Sequence, residues 1–350
     1  MPSRRLFLTG LAAGLLPLII PVSAAPAQAM PADPLSPDLP QVTEQIQAAI
    51  RRHGLNGVAA IAHHGNRVLY RGYFGDIGPA TPLEVASASK WIAGLVIMAL
   101  VAQGRLRLDT SLAEAGLAGE GPKAGITLAQ LMSHTSALPA TGPVMQQRRY
   151  PTPRAAARKL ADMDMIGQPG TVFAYAGVSM QVAAFMAEQA GGADWNSLFR
   201  RLIADPLGLS PACRWGDKWG VAGGLVASPD DYERLLLLIA RQGLAGDGRR
   251  ILPADIFPMM ERDRIGTADR RGQPETAAAM KGYGIGLWCE AQAADGSCPV
   301  ISSPGAFGTY PRLDRSRDLA ILLMVRSRLP RVASDWRAVT AALVRAADGG

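Results

Sequence analysis

One stretch constrains the fold of this chain more than any other: the tetrapeptide Ser87-Ala88-Ser89-Lys90, followed by the apolar run 91–100. A run that is apolar on nearly all sides indicates a helix buried in the core. Residues three positions apart lie on one face of a helix, so the Ser87 hydroxyl and the Lys90 ammonium are predicted to share a pocket. The start of the helix adds a partial positive charge where an alkoxide or oxyanion would form.

This pairing favours a serine nucleophile. Burial disfavours the charged form of a lysine, and a neutral amine can take a proton from a neighbouring hydroxyl. The spacing alone is a weak signal, because most such serines cap a helix whose lysine lies in solvent. The apolar run directly after Lys90 favours the catalytic interpretation, in which Ser87 attacks a carbonyl carbon.

The composition is that of a globular protein and excludes some partners. The chain has 350 residues, 48% hydrophobic and 19% charged, which is enough for a large core in one or two domains. The net charge is +7, but the basic residues form no dense block interleaved with aromatics, so we expect no nucleic-acid partner. The histidines and cysteines show no metal-ligand spacing, so we expect neither a metal nor a cofactor.

The N-terminus has the features of an export signal. Residues 3–8, Ser-Arg-Arg-Leu-Phe-Leu, are similar to the twin-arginine motif, and the apolar run 11–20 follows them. Ala27-Gln28-Ala29 fits a cleavage site, with residues 22–24 as the alternative. We therefore predict a signal peptide over 1–29 and a periplasmic mature protein. The apolar run is too short to span a membrane comfortably, so we expect no stable span after cleavage.

Strand-like patterns occur towards both ends of the chain, and the middle is helical. We predict an α/β domain from residues 41–104 and 276–350, in which one antiparallel sheet built from both chain ends is flanked by helices. A helical domain, residues 105–275, is inserted into it, and a Pro-rich leader, residues 30–40, precedes it. The predicted helices include one from Thr43 closed by Gly54 and others over 177–190, 195–203 and 334–345. The predicted strands include 58–62, 67–73, 283–289, 306–313 and 319–325.

The three cysteines leave two alternatives open. Cys289 and Cys298 flank the turn signal Asp295-Gly296, so they could pair across a hairpin in an oxidising compartment. The alternative is two buried thiols. Cys213 has no evident partner.

Several stretches together resemble the serine β-lactamase/penicillin-binding-protein superfamily, and its class C β-lactamase-like branch most closely. That branch includes family VIII esterases and D-aminopeptidases. The resemblance covers residues from about 42 to 345 and implies a β-lactamase/transpeptidase-like fold. The matching stretches are 86–90, 104–109, 126–128, 131–136, 169–175, 222–225 and 283–287.

The resemblance also implies roles for individual residues. Ser87 is the nucleophile, and Lys90 and the Tyr175 phenol move its proton. The oxyanion is expected between the backbone N–H groups of Ser87 and Ala306, with Gly305 allowing the strand to approach closely. His134 is implied to be structural, because no Gly-x-Ser-x-Gly elbow accompanies it.

Two departures from the family pattern concern substrate binding. The usual Tyr-x-Asn is Tyr175-Ala176-Gly177 here, so the amide side chain is lost at Gly177. The usual Lys-Thr-Gly or His-x-Gly is best matched by Ser303-Pro304-Gly305, so no cation stands there to meet a substrate carboxylate. We expect Gly177, Ser303, Gly305 and Ala306 to contact substrate.

The sequence therefore predicts a periplasmic serine hydrolase that works through an acyl-enzyme on an ester or small amide. Its expected partner is a small-molecule ester, amide or β-lactam-like compound. The alternatives are a β-lactamase or a D-amino-acid peptidase, and, from another class, a non-catalytic cell-wall or ligand-binding protein on the same fold. The sequence carries no signal for an oligomeric state.

Overall fold

The computed structural model describes residues 39–140 and 148–349. The predicted signal peptide and the predicted leader, apart from residues 39 and 40, lie outside these ranges. Within them, no helix combines the length and the apolar character needed to cross a bilayer.

The main sheet has seven strands, all paired antiparallel, in the order β2-β1-β12-β11-β10-β9-β8. Its strands come from both ends of the described chain, as predicted. Two small sheets, β3-β6-β5 and the parallel pair β4-β7, lie outside it. The strands are β1 Gly57–His64, β2 Arg67–Gly75, β3 Leu83–Glu84, β4 Val172–Ala174, β5 Arg214–Trp215, β6 Leu225–Ala227, β7 Asp269–Arg271, β8 Gly282–Tyr283, β9 Trp288–Ala291, β10 Val300–Ser302, β11 Tyr310–Asp314 and β12 Leu319–Val325.

Helices cover both faces of the main sheet and fill the middle of the chain. They are α1 Pro40–His53, α2 Ser89–Ala102, α3 Leu128–Met132, α4 Pro153–Arg158, α5 Val178–Gly191, α6 Trp195–Phe199, α7 Pro229–Ala240, α8 Ile256–Glu261 and α9 Leu329–Asp348. Side-chain oxygens fix several starts, because they accept hydrogen bonds from free N–H groups of the first turn. Thr127 does this for α3 and Ser228 for α7.

Strand β12 shows why the core has two layers. It is buried at every position, and successive side chains of a strand point to opposite faces of the sheet. Its odd-numbered residues pack with α1 and α9, and its even-numbered residues pack with α2 and the helices around it. The apolar cluster that contains α2 and the even-numbered residues of β12 includes residues from both predicted domains. The division at residues 105 and 275 therefore stays a prediction.

The predicted buried helix is confirmed as α2. Every residue from Ser89 to Leu100 is buried, which explains why the run is apolar on all sides. Gly94 is needed within it, since a Cβ there would lie 2.4 Å from the Ile285 carbonyl oxygen. The segment before β9 thus packs directly against the helix that carries the Ser-x-x-Lys pair.

Some predicted bounds are wrong, and turns account for the errors. The segment 283–289 is divided into β8 and β9 by Gly286, whose φ of 81° is a left-handed conformation. The segment 306–313 forms a strand only from Tyr310, because the N–H of Gly308 bonds to the Gly305 carbonyl in a turn. Strand β10 and the short strands of the middle region were not predicted.

The outer helices begin earlier than the sequence indicated. Helix α1 starts at Pro40 rather than Thr43, and α9 starts at Leu329 rather than residue 334. Both carry a proline in the first turn, where a backbone N–H has no partner within the helix, so its absence costs no hydrogen bond. Helix α1 ends as predicted at Gly54, which adopts a left-handed φ of 56°.

The structure joins Cys289 and Cys298 by a disulfide that links β9 to the segment before β10, with their Cα atoms 5.4 Å apart. Cys213 is a buried free thiol. Formation of the bridge in the exported protein stays a prediction.

Candidate active site

Ser87 lies in a short 3-10 turn, Ala86–Ala88, that leads directly into α2. The turn leaves Ser87 half-buried, while Lys90 is buried one helical turn later. The Lys90 ammonium donates to the Ser87 hydroxyl oxygen at 3.0 Å and to the Ala222 carbonyl oxygen at 2.8 Å. The structure therefore brings together the serine and the base that the spacing paired.

Side-chain hydroxyls hold the backbone of this turn in place. Each of the carbonyl groups at 86, 87 and 88 accepts a hydrogen bond from a hydroxyl, and the three donors come from three different elements. The bonds are Ser89 to Ala86 at 2.6 Å, Ser303 to Ser87 at 3.1 Å and Tyr232 to Ala88 at 2.8 Å. These three hydrogen bonds hold the backbone on which the Ser87 side chain is mounted, and so they restrict its direction.

Such anchoring matters because the turn is strained. Ala86 has a φ of 48°, which is a left-handed conformation that residues with a Cβ rarely adopt. The strain costs on the order of 1 kcal/mol and persists only where surrounding contacts enforce it. Here the Leu225 N–H donates to the Ser89 hydroxyl at 3.0 Å, and the Leu225 carbonyl accepts from Val85.

The loop 216–224, which presents the Ala222 carbonyl to Lys90, is fixed from α5. Gln181 is fully buried, its amide oxygen accepts from the Val221 N–H at 3.0 Å, and its amide nitrogen donates to the Tyr150 carbonyl at 3.1 Å. Sequence reasoning missed both Gln181 and the role of Ala222. The matching stretch 222–225 pointed to the right loop, but a backbone carbonyl has no signature in a sequence.

Tyr175 follows β4 and lies beside the Ser87–Lys90 pair. The Lys90 ammonium is 4.7 Å from the centre of the Tyr175 ring. The ring stacks on Trp288 at 5.1 Å and contacts His134 at 4.8 Å between ring centres. Within residues 39–140 and 148–349 the Tyr175 hydroxyl donates to no protein group, so it is available to a substrate.

His134 packs against the rings of Tyr175 and Tyr283. Its Nδ1 accepts from the Ala176 N–H at 3.4 Å, so the proton of the neutral ring lies on Nε2, which donates to the Tyr283 hydroxyl oxygen at 3.3 Å. Burial lowers the pKa of His134 well below its ordinary value, and the Lys90 charge lowers it further. His134 is therefore a neutral structural residue, as the resemblance implied.

The segment after β10 packs against the nucleophile turn. A Cβ on Gly305 would lie 2.0 Å from the Val85 carbonyl oxygen, so only glycine fits there. Ala306 is exposed in the following turn, and its N–H bonds to no protein group within the described chain. This leaves the N–H free for an oxyanion, as the predicted role requires.

Ser303 directly follows β10 and bonds to the nucleophile turn, and its contact with substrate stays a prediction. Ser303 is only 2% exposed, and its hydroxyl is directed at the Ser87 carbonyl, at 3.1 Å, and at the Gly286 carbonyl, at 3.5 Å. Gly177 is the residue before α5 and presents no side chain. Within the ranges that the structure describes, Lys90 is the one cationic side chain that bonds to Ser87, and none bonds to Tyr175 or Ser303.

The described residues contain no group of three or more histidine, cysteine, aspartate or glutamate side chains arranged to hold a metal ion.

The sequence profile of the Beta-lactamase family matches residues 41–344. The chain belongs to this family, and its fold and Ser87–Lys90 pair are those of a serine hydrolase of the β-lactamase/penicillin-binding-protein type.

Relatives and solved structures agree with this placement. The D-alanyl-D-alanine-carboxypeptidase/endopeptidase AmpH of Escherichia coli K12 is 24% identical, over 79% of this chain and 81% of its own. The crystal structure of a candidate beta-lactamase from Bacteroides dorei DSM 17855 is 29% identical, with a TM-score of 0.74 over 83% of this chain and 91% of its own. The hydrolase EstCE1 shares the fold, with a TM-score of 0.70, 17% identity, and coverage of 88% and 97%.

Proposed function

We propose that this chain is an exported serine hydrolase that acts through an acyl-enzyme on uncharged esters or small amides. The observation that carries the proposal is the 3.0 Å hydrogen bond between the buried Lys90 and the half-buried Ser87 hydroxyl. A nucleophile within hydrogen-bond reach of its base is the arrangement that acyl transfer needs.

Acylation follows from the positions of these groups. The Ser87 oxygen bonds to the substrate carbonyl carbon while its proton passes to the Lys90–Tyr175 pair. The carbonyl oxygen becomes an oxyanion, held by the N–H groups of Ser87 and Ala306. When the oxyanion collapses, the ester C–O bond breaks and the leaving oxygen takes a proton back from the same pair.

Deacylation repeats these steps with water. Water adds to the acyl carbon of the ester on Ser87 while Lys90 and Tyr175 accept its proton. Collapse of the second oxyanion releases the carboxylic acid and returns a proton to the Ser87 oxygen. The Tyr175 oxygen is suited to both stages, because the Lys90 ammonium lies beside its ring and no protein group within the described residues bonds to it.

The preference for uncharged substrates rests on what position 303 offers. A substrate carboxylate buried without a cation is costly, and charge-assisted hydrogen bonds are roughly twice as strong as neutral ones. Ser303 carries no charge, and its one hydroxyl proton is already directed at backbone carbonyls, that of Ser87 at 3.1 Å and that of Gly286 at 3.5 Å. We expect p-nitrophenyl butyrate to exceed nitrocefin in kcat/KM by several orders of magnitude. Equal efficiencies would instead favour a β-lactamase.

A D-amino-acid peptidase is the second candidate, favoured by the name of the relative AmpH, a D-alanyl-D-alanine-carboxypeptidase/endopeptidase. Peptides that end in D-alanine carry a terminal carboxylate, so the argument from position 303 applies to them as well. Release of D-alanine from such a peptide, measured beside ester turnover, separates the two activities.

A non-catalytic binding protein is the candidate from another class. Loss of the amide at Gly177 and of the cation at Ser303 favours it, whereas the intact Ser87–Lys90 contact opposes it. A fluorophosphonate probe with peptide mass spectrometry decides between them, because the probe reacts only with an activated serine. We expect modification at Ser87 and none in Ser87→Ala or in heat-denatured protein. Folded protein that stays unlabelled would support the binding protein.

Export to the periplasm is part of the same proposal and rests on residues 1–29 alone. Replacing Arg4 and Arg5 with lysine should leave uncleaved precursor in the cytoplasm, because the twin-arginine pair is the recognised feature. N-terminal sequencing of the mature protein should begin near Met30. Unchanged export of the variant would contradict the assignment.

A further inference from the structure

A second aromatic contact lies beside the site, apart from the group that supports Tyr175. The rings of Trp219 and Phe307 meet edge to face, with 5.8 Å between their centres and 64° between their planes. Both residues are partly exposed. The steps of the proposed reaction use neither of them.

The two loops that carry these rings both contact the nucleophile region. Trp219 belongs to the loop 216–224, whose Ala222 carbonyl accepts the Lys90 hydrogen bond at 2.8 Å. Phe307 directly follows Ala306 in the turn that begins at Gly305, where a Cβ would touch the Val85 carbonyl. The contact between the two rings therefore joins the loop 216–224, which bonds to Lys90, to the turn that presents the Ala306 N–H.

The turn that carries Phe307 is held rigidly. Its carbonyls at 306, 307 and 308 accept hydrogen bonds from the N–H groups of Leu329 and Ser327 and from the Trp336 indole, respectively, the last at 2.8 Å. Trp336 is itself fully buried in α9. A wall anchored in this way is formed before substrate arrives, so a ligand does not have to order it.

The position of the pair relative to Tyr175 indicates which part of a substrate it meets. Tyr175 returns the proton to the leaving oxygen, so the leaving group departs on its side. The rings that contact Tyr175 are His134, Tyr283 and Trp288, and neither Trp219 nor Phe307 contacts it. We therefore expect the leaving group on the Tyr175 side of Ser87 and the acyl group on the side of Trp219 and Phe307.

We propose that Trp219 and Phe307 form an apolar acyl subsite that selects substrates whose acyl group is an alkyl chain of four or more carbons or an aryl group. This inference rests on the proposed function and specifies its substrate class. Each methylene that leaves water for an apolar wall is worth roughly a fourfold gain in kcat/KM, so butyrate, with two more methylenes, should exceed acetate by about 16-fold. An aryl group gains further from edge-to-face contact.

The test keeps the leaving group constant and varies the acyl group. The kcat/KM values for p-nitrophenyl acetate, butyrate and phenylacetate are compared in wild type, Trp219→Ala, Phe307→Ala and the double variant. We expect the butyrate/acetate ratio to fall from about 16-fold to about fourfold or less in each single variant. The double variant should lose less than the product of the two losses, because the rings contact each other.

Phe185→Ala is the matched control, because Phe185 is a partly exposed ring that contacts Arg154 rather than either loop. Its ratio should stay at the wild-type value. Trp219→Leu and Phe307→Leu replace any alanine variant that fails to fold.

Three results would overturn the inference. Unchanged or higher ratios in the Trp219 and Phe307 variants, with ester turnover intact, would contradict the subsite alone. In a second series the acyl group stays butyryl and the alcohol is varied; a loss confined to that series would place the pair on the other side of Ser87. A wild-type protein that hydrolyses no ester would contradict the proposed function, and the subsite with it.

Discussion

The Ser303 hydroxyl donates its proton to the backbone carbonyl of Ser87, at 3.1 Å. Where the family pattern carries a cation, this chain carries a small side chain that holds the turn of its own nucleophile. The same change that removes the partner of a substrate carboxylate therefore adds a support to the catalytic serine. We therefore expect Ser303 to act as a positioning residue for Ser87.

We predict that Ser303→Ala lowers kcat about fivefold with little change in KM, because losing one hydrogen bond of about 1 kcal/mol loosens the turn. Ser303→Thr, which keeps a hydroxyl, should retain most of the activity. Ser302→Ala is the control: Ser302 is also fully buried, but its hydroxyl has no partner among the described residues. Equal losses in Ser302→Ala and Ser303→Ala would show a general packing effect instead.

Tyr175→Phe should lower kcat by about 100-fold or more, the scale of a lost acid–base group, while the protein stays folded. The ring contacts with Trp288 and His134 do not need the hydroxyl. Tyr283→Phe is the matched control, since the Tyr283 hydroxyl meets His134 rather than the nucleophile. Steady-state kinetics on p-nitrophenyl butyrate give the comparison, and a Tyr175→Phe enzyme with wild-type kcat would remove Tyr175 from the proton path.

Glu233 should make stability depend on acid pH. Burial raises its pKa, but the hydrogen bond with His63 and the Arg71 charge outweigh burial and hold the pKa below the ordinary 4.5. A carboxyl with a lowered folded-state pKa stabilises fully above its unfolded value and loses that contribution as the pH falls through the folded value. Glu233→Gln should therefore lower Tm at pH 7, with a smaller difference below about pH 4.5. A difference independent of pH in thermal unfolding would contradict this.

The disulfide prediction concerns both linkage and stability. Mass spectrometry without reductant should show Cys289 linked to Cys298, which are separated by nine positions. Closing a loop of this size stabilises by about 2–3 kcal/mol, so reductant should lower Tm measurably. Cys213→Ala should keep the response to reductant, whereas the double variant Cys289→Ser/Cys298→Ser should abolish it. Free alkylation of both cysteines in native exported protein would rule out the bridge.

The sequence predicts best what depends on neighbours along the chain. The meeting of Ser87 and Lys90 follows from helical spacing, and the burial of α2 follows from its apolar run. Strand β12 has the predicted bounds because alternate residues of a uniformly apolar segment pack against helices on both sides.

The remaining parts of the site depend on contacts between distant segments. The partner of the Ser303 hydroxyl lies 216 positions away, and that of the His134 Nε2 lies 149 positions away. The Ala222 carbonyl that anchors Lys90 belongs to the backbone, so residue type does not reveal it. The role of Gln181 is not visible in the sequence, because its amide bonds to Tyr150 and Val221, which are distant along the chain.

The central claim is that Ser87 carries the acyl group during turnover, and trapping that intermediate tests it most directly. Wild-type protein is mixed with p-nitrophenyl butyrate, quenched in acid within the first turnovers, digested and analysed by mass spectrometry, with Ser87→Ala treated in parallel. We predict one butyryl group on the peptide that contains Ser87, and neither adduct nor turnover in Ser87→Ala. A Ser87→Ala protein that hydrolyses the ester at the wild-type rate, or a butyryl group on another residue, would contradict the account.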